Sequence, residues 1–410
     1  MSTPPIPARP GFLALELDGD GAHPAAWRKA RHTPAELLDG TRIRATVLAA
    51  ESAGFHVATF ADGAVPGGTG ITGQLNALQR AAFAGPVTSS IIVVPEVDTV
   101  YTEPFHVSTQ LASLDYVSGG RAGWLVAASD SAADAAAVGR QTVSGAGLGR
   151  EAADSIEVSR RLWDSWEDDA VIRDVATGRY LDVDKLHYVD FEGGGGFESG
   201  ADAVGATYSV KGPSIIPRPL QGQLPVVVPA GLLASGRPSA GATDALLVSA
   251  PTPDLLAAEV AEARSALAAT AGGAPAVIAE LDVVLDARGQ AAEGRLAELN
   301  AHTPWESTRA RFVGTAPELI ELLTTLLETA DGVRLHPAVL DVDLEELAQL
   351  VLPSLRRRGV LAPVQPDTTF RQLLGLQRPA SRYATARHGA DSVLAGPAAS
   401  STAHQGENND

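Results

Sequence analysis

Phe105-His106-Val107-Ser108-Thr109-Gln110-Leu111-Ala112-Ser113-Leu114-Asp115-Tyr116-Val117-Ser118-Gly119-Gly120-Arg121-Ala122-Gly123-Trp124 is the stretch whose reading decides the fold. It reads as a helix, a glycine turn and a buried strand. Pro104 stands in the first helical turn, where its missing N–H has no partner to lose, and the helix is expected over Pro104 to Tyr116. The glycine pair makes the turn. Arg121 to Ser129 is then a strand.

The same alternation extends in both directions. Phe12 to Leu17 is the first strand, His56 to Asp62 the second and Ser89 to Asp98 the third, with the β-branched run Ile91-Ile92-Val93-Val94 inside it. Leu224 to Gly231, Asp244 to Ala250, Ala276 to Leu285 and Gly332 to Pro337 follow the fourth as strands five to eight. Helices are expected over Thr41 to Gly54, Arg150 to Trp166, Pro253 to Thr270, Thr315 to Thr329 and Leu344 to Arg358. Strands this apolar are covered on both faces, as in a parallel sheet. Eight strand–helix units predict an α/β chain closed as a (β/α)8 TIM-type barrel, with a doubly wound open sheet as the alternative.

The barrel is expected over residues 1–376. Glu167 to Gln223 breaks the rhythm: it is polar and glycine-rich, with Gly193-Gly194-Gly195-Gly196, and reads as an insertion between strands four and five. Placed at the strand C-terminal face it would be a lid; the alternative is a surface excursion or an oligomer contact. Residues 377–410, rich in Ala, Ser, Gly and Pro, read as a disordered tail.

Composition removes several classes of function. The chain has 410 residues, 45% of them hydrophobic, and a formal net charge of −18. That charge argues against a nucleic-acid partner. There is no cysteine, hence no disulfide, thiolate metal site or thiol nucleophile. The nine histidines form neither His-x-His nor His-Glu-x-x-His, so no metal site is expected. Ser129 lacks the glycines of a hydrolase nucleophile elbow. Ser2 to Pro10 has no apolar core of a signal peptide and no run reaches the length of a membrane span, so a cytoplasmic chain without membrane contact is expected.

Some residues could carry chemistry. Ser144-Gly145-Ala146-Gly147-Leu148-Gly149-Arg150 opens a helix, where alternating glycines let backbone N–H groups approach a phosphate; the alternative is a plain connector. Asp62 ends strand two and reads as site-facing or as a turn cap. Glu96 and Asp98 end strand three as an acid–base pair or a solvated rim. His23 and Trp27 follow strand one and resemble a substrate wall, the candidate catalytic pair; the alternative is Trp27 packed and His23 exposed.

Further segments carry a family resemblance. They are Leu162-Trp163-Asp164-Ser165-Trp166-Glu167-Asp168-Asp169-Ala170, Val210-Lys211-Gly212-Pro213, Pro219-Leu220-Gln221-Gly222, Phe312-Val313-Gly314-Thr315, Val351 to Gly359, and Leu373-Leu374-Gly375-Leu376. With the opening stretch they resemble the luciferase-like flavin-dependent monooxygenases, in the branch of nitrilotriacetate and dibenzothiophene-sulfone monooxygenases, over most of positions 12 to 376. The resemblance implies an oxidoreductase that takes reduced FMN from a separate flavin reductase and uses oxygen on a small organic substrate, as a homo-oligomer. Phe312 to Thr315 would open the penultimate helix. Asp62 matches the family aspartate near the flavin. Glu96 and Asp98 stand where the family has small hydroxyl residues, and Leu125 follows Trp124 where it has asparagine. Gly145 and Gly149 replace a histidine and a tyrosine at the phosphate. Pro229-Ala230-Gly231-Leu232-Leu233 replaces Gln-Ala-Gly and a serine, which puts Gly231 and Leu232 at the cofactor. These departures remove donors or add negative charge. Two alternatives follow from them: a non-catalytic barrel subunit of a hetero-oligomer, and a deazaflavin-dependent oxidoreductase.

Overall fold

The structure is a computed structural model that describes residues 9–62, 73–193, 208–234, 242–268 and 274–384. Its parallel strands are β1 (Phe12–Glu16), β2 (Val57–Phe60), β3 (Ile92–Asp98), β4 (Trp124–Ala127), β5 (Val226–Pro229), β6 (Ala245–Val248), β7 (Ala276–Leu285) and β8 (Gly332–Pro337). Each pairs with the next, and β8 pairs with both β7 and β1, so that Ile278 and Phe12 both align with Gly332. The ring is closed and leaves no barrel edge unpaired. Burial on both faces drives the closure: all ten residues of β7 are buried.

Side chains alternate along each strand. One set, including Leu13, Leu15, Leu281 and Leu335, packs under the helices. The other, including Phe12, Ala14, Val57, Ile92, Val94, Val227 and Ile278, fills the barrel interior. Phe370, on the short helix Phe370–Leu373, closes the strand N-terminal end. Space explains two glycines there. A Cβ at Gly123 would lie 2.4 Å from the Phe370 ring, and one at Gly332 would lie 2.5 Å from Phe12.

Three differences from the sequence reading have clear causes. Phe312 to Thr315 opens the helix that follows only through Thr315, its cap; Phe312 to Gly314 is strand. Ala310–Gly314 is a ninth strand beside the upper half of β7, from Leu281↔Ala310 to Leu285↔Gly314, and explains the length of β7. Thr315 then caps the helix Ala316–Leu326 in a capping box with Glu318. The helix expected from Arg150 starts at Ala146 and absorbs Gly147 and Gly149 as buried positions. The helix expected from Leu344 starts at Leu340 and passes through a π-turn at Leu347–Val351 just before Pro353, whose missing N–H breaks the regular ladder.

The insertion leaves from the C-terminal end of the helix Ala146–Asp164. A helix that follows a barrel strand runs back to the strand N-terminal face, so the insertion starts at the face opposite the mouth. Trp166 Nε1 donates to Ser214 O there (2.7 Å), and Val171–Asp174 pairs with Arg179–Leu181. The strands Phe191–Glu192 and Ser209–Val210 then lie against Val158, Leu162 and Phe105 on the barrel's outer side. None of its described residues lines the mouth, which corrects the lid expectation for them. Gly194, Gly195 and Gly196 lie outside the described residues. The start of the expected tail is docked instead: Arg378 Nη1 pairs with Asp168 at 2.9 Å, and Tyr383 stacks on His187 at 3.8 Å. Residues 385–410 lie outside the described residues.

Candidate functional site at the barrel mouth

The alternation that fills the interior with apolar groups delivers charge at its upper end. On β1 the inner face runs Phe12, Ala14, Glu16. On β3 it runs Ile92, Val94, Glu96, on β7 Ala276, Ile278, Glu280, and on β8 Gly332, Arg334, His336. Above them opens a cavity of about 440 Å³, within the size range of small-molecule sites. Its wall has two arcs. Leu125, Ala127, Pro229 and Leu247, from β4, β5 and β6, form an apolar arc. Glu280, Arg334, His336, Glu16 and Glu96, from β7, β8, β1 and β3, form a charged one.

Arg334 organises the charged arc. Its Nη1 donates to Glu280 Oε1 (3.0 Å), its Nε to Thr59 Oγ1 (2.9 Å) and its Nη2 to Glu16. Thr59 Oγ1 donates in turn to Glu16 Oε2 at 2.7 Å, and Ala61 N to Glu16 Oε1 at 3.0 Å. Glu96 is left at 3.6 Å from Arg334 Nη2 and makes no hydrogen bond among the described residues. A buried guanidinium survives only when paired. Here three carboxylates share one cation.

The environments split the carboxylates. Burial would raise Glu280, but the His336 hydrogen bond and the Arg334 charge outweigh it and hold it down at about 2. Burial likewise works against Glu16, yet Arg334 and His336 keep it below the usual range. For Glu96 burial wins: Arg334 offsets it only in part, Glu16, Glu280 and Asp18 add to it, and its pKa is pushed up to about 7. Burial and Arg334 lower His336. His336 Nε2 stands 3.0 Å from Glu280 Oε1. Ionised Glu280 only accepts, so Nε2 carries the proton and Nδ1 presents a lone pair.

The residues singled out in the sequence do not gather in one place. Glu96 lines the cavity. Asp98 was expected to point into the same mouth, but its carboxylate accepts from the backbone N–H groups of Val100 (3.1 Å), Tyr101 (2.7 Å) and Ser129 (2.7 Å), which holds the loop after β3. Asp62 accepts from Asn76 Nδ2 (2.5 Å) and Ala77 N (3.3 Å) at the start of the helix Ala77–Ala84, while Ala61 lines the cavity. His23 is buried, accepts from Ala25 N at Nδ1 (3.0 Å), bonds Asn300 through Nε2 (3.0 Å) and faces Trp305 at 5.2 Å. Trp27 lies edge-on to His302 at 5.5 Å, so His23 and Trp27 form no common wall. Gly145 precedes the first turn of its helix at φ +55 and Gly149 is buried inside it. Gly231 and Leu232 lie on the short helix Ala230–Ala234 that follows β5.

Glu16, Glu280, Arg334 and His336 were missed in the sequence. The signal was present: in Ala276 to Leu285 the carboxylates Glu280 and Asp282 sit two apart, and so do Arg334 and His336 in β8. At period two, both members of each pair share a face with the apolar interior. Asp282 also accepts from Arg309 Nε at 2.7 Å, and Arg309 brings the ninth strand to the rim. Among the described residues no group of three potential ligands is arranged to hold a metal ion, and no helix is long and apolar enough to cross a membrane.

Known proteins share this architecture. A family model described as luciferase-like monooxygenase matches residues 22–354. The N-acetyl-S-(2-succino)cysteine monooxygenase of Bacillus subtilis (strain 168) is 27% identical over 368 residues, 73% of this chain and 80% of that protein. Nitrilotriacetate monooxygenase component A of Aminobacter aminovorans is 37% identical over 158 residues, which span 38% of this chain and 32% of that protein. The solved structure of the EDTA monooxygenase from Chelativorans sp. BNC1 superposes with a TM-score of 0.73 at 20% identity, over 90% of this chain and 99% of that one.

Proposed function

We propose, on the premise that the chain belongs to the luciferase-like monooxygenase family, that its mouth binds reduced FMN delivered by a separate flavin reductase and uses oxygen to oxygenate a small organic molecule. The observation that carries this reading is the two-arc cavity at the strand C-terminal ends. A flavin ring has a flat apolar face and one polar edge, and the cavity has one wall for each.

Reduced flavin, when bound, supplies the electrons that activate oxygen. The chain's own residues do the rest. Leu125, Ala127, Pro229 and Leu247 hold the ring and keep water from it. Glu96 would stand beyond the ring's polar edge, open to the substrate; with its pKa near 7, its carboxyl holds or releases a proton at working pH. Asp62 holds the start of the helix Ala77–Ala84 at the rim. Gly145 and Gly149, at the first turn of their helix, and Gly231 and Leu232, after β5, would hold the phosphate.

The grip on that phosphate is weak. Arg334 and Arg309 are both turned onto carboxylates. Ring contacts therefore dominate, and riboflavin and FMN should bind within about threefold of each other, less than one charge-assisted hydrogen bond contributes. Fluorescence titration of the full-length protein with both flavins, oxidised and reduced, measures this. Oxygen uptake with a flavin reductase and a panel of small molecules then measures turnover. Absence of binding by either reduced flavin would sink the proposal.

The crowding of three carboxylates around Arg334 favours a second reading, a barrel subunit that has given up flavin. A co-purifying homologous chain with no flavin binding would support it. Exclusive binding of a deazaflavin would point to the remaining alternative.

A further inference from the structure

We propose that the barrel mouth takes a cationic small molecule, a protonated amine with a short hydrocarbon body, and that Glu96 is the residue that selects it. The inference deepens the proposed function and rests on it for the location of the substrate.

The donor inventory points this way. Two guanidiniums line the cavity: Arg334 is turned onto Thr59, Glu280 and Glu16, and Arg309, at the rim, is held to Asp282 through its Nε. The Thr59 hydroxyl hydrogen goes to Glu16. Four carboxylates, Glu16, Asp18, Glu96 and Glu280, stand on the wall against these two cations. Glu96 has no hydrogen bond among the described residues and lies 3.6 Å from its nearest opposite charge. Asp18, also on the wall, has its own partner in Arg80 at 2.9 Å. Glu16, Glu96 and Glu280 thus surround one guanidinium, and Glu96 is the carboxylate left unmatched.

His336 gives an independent indication. Its side chain is 5% exposed and lines the cavity. Nε2 is committed to Glu280 at 3.0 Å. Nδ1 has no partner among the described residues and offers only a lone pair. That lone pair opens to the cavity, where a ligand N–H would meet it. An ammonium group brings three donors and the missing positive charge. Across from it stands the apolar arc of Leu125, Pro229 and Leu247, bare in the flavin-free protein and covered by the apolar ring once flavin binds, and either surface takes the hydrocarbon part. A carboxylate ligand would meet Glu16, Glu96 and Glu280, with the Nη groups of Arg309 at the rim as its counter-charge.

Charge-assisted hydrogen bonds of this kind correspond to roughly 10- to 100-fold in affinity. The test is calorimetric titration of the full-length protein, without flavin, at pH 7.5 with three probes of one chain length: hexylamine, hexanol and hexanoate. Hexylamine should bind at least about tenfold more tightly than hexanol, and hexanoate should bind most weakly. Glu96→Gln should lower hexylamine affinity by about tenfold or more and leave hexanol within about twofold. Lowering the pH from 8 to 6 should weaken hexylamine and spare hexanol. Glu96 takes up a proton in that range, whereas an aliphatic ammonium keeps its own. The charged and titratable groups that share the cavity with Glu96 are Arg334 and His336 from β8, Glu16 and Asp18 from β1 and the turn after it, Glu280 from β7, and Arg309 just before the ninth strand.

Equal affinity for hexylamine and hexanol, or a preference for hexanoate, overturns the inference; both are read on the unaltered protein and do not depend on the variant folding. Unchanged hexylamine affinity in a folded Glu96→Gln variant overturns the role of Glu96. The two readings fail separately. Flavin turnover without amine preference removes this inference alone, and amine preference without flavin binding removes the monooxygenase reading alone.

Discussion

Arg334 stands on the inner face of β8 with Glu16, Glu280, Glu96 and Thr59 around it. Replacing it with methionine keeps most of the volume and strands the carboxylates. Arg334→Met should cost about 3–5 kcal/mol at pH 7 by urea unfolding, the range for a broken buried pair. The loss should shrink towards pH 4, where the stranded carboxylates can neutralise; a loss under about 1 kcal/mol at pH 7 would mean that water reaches them. Glu96 behaves oppositely. Its folded pKa of about 7 lies above the ordinary 4.5, so the folded state binds the proton more tightly. Its charge therefore costs stability as pH rises from about 4.5 to 7, and costs nothing below. Glu96→Gln should leave stability unchanged at pH 4 and raise it by about 1–3 kcal/mol at pH 8, allowing for partial solvent access. Glu96 was legible in the sequence because it ends a β-branched run. Arg334 and His336 were not, because β8 reads as one short buried strand and which face each side chain takes is fixed only by pairing.

At the level of elements, strand order explains what the sequence reading of the insertion lacked. Segments between a strand and its helix lie at the mouth; segments between a helix and the next strand lie at the other end. Glu167 to Gln223 is of the second kind, and its described part packs on the outer side and the lower end. The helix Phe370–Leu373 belongs to that lower end, where Phe370 fills the interior and Arg371 Nη1 donates to Gln223 O at 3.1 Å. Phe370→Ala opens a cavity beneath β1 and β4, and should cost about 3–5 kcal/mol in chemical denaturation. Flavin and hexylamine affinity should stay within about threefold of the parent below its melting temperature. A large loss of ligand binding in a folded variant would show that the two ends of the barrel are coupled. The alternation of inner and outer residues on β7 and β8 was available in the sequence. The ninth strand was not, since Ala310–Gly314 is β-structure only because the upper half of β7 is there to pair with it.

For the whole molecule, the net charge of −18 repels an anion before any contact forms. FMN carries a phosphate and riboflavin does not. Raising ionic strength from about 0.01 to 0.15 M contracts the Debye length from about 30 to 8 Å, so the association rate of FMN should rise while that of riboflavin stays flat in stopped-flow fluorescence. An association rate for FMN that falls with salt would reveal a local positive field that the overall charge hides. The eight-stranded barrel could be derived from the chain itself, because period-two burial, glycine stops and strand–helix alternation are local properties that each segment carries alone. The absence of thiol chemistry and the sign of the long-range field also follow from composition. Only folding decided the character of the mouth. Glu16, Glu96, Glu280, Arg334 and His336 are spread over more than three hundred positions, and each is unremarkable in its own strand. Closing β8 against β1 and β7 brings them to one level and leaves a single guanidinium to serve three carboxylates. The surplus of acceptors is a property of that closure, which no segment contains by itself.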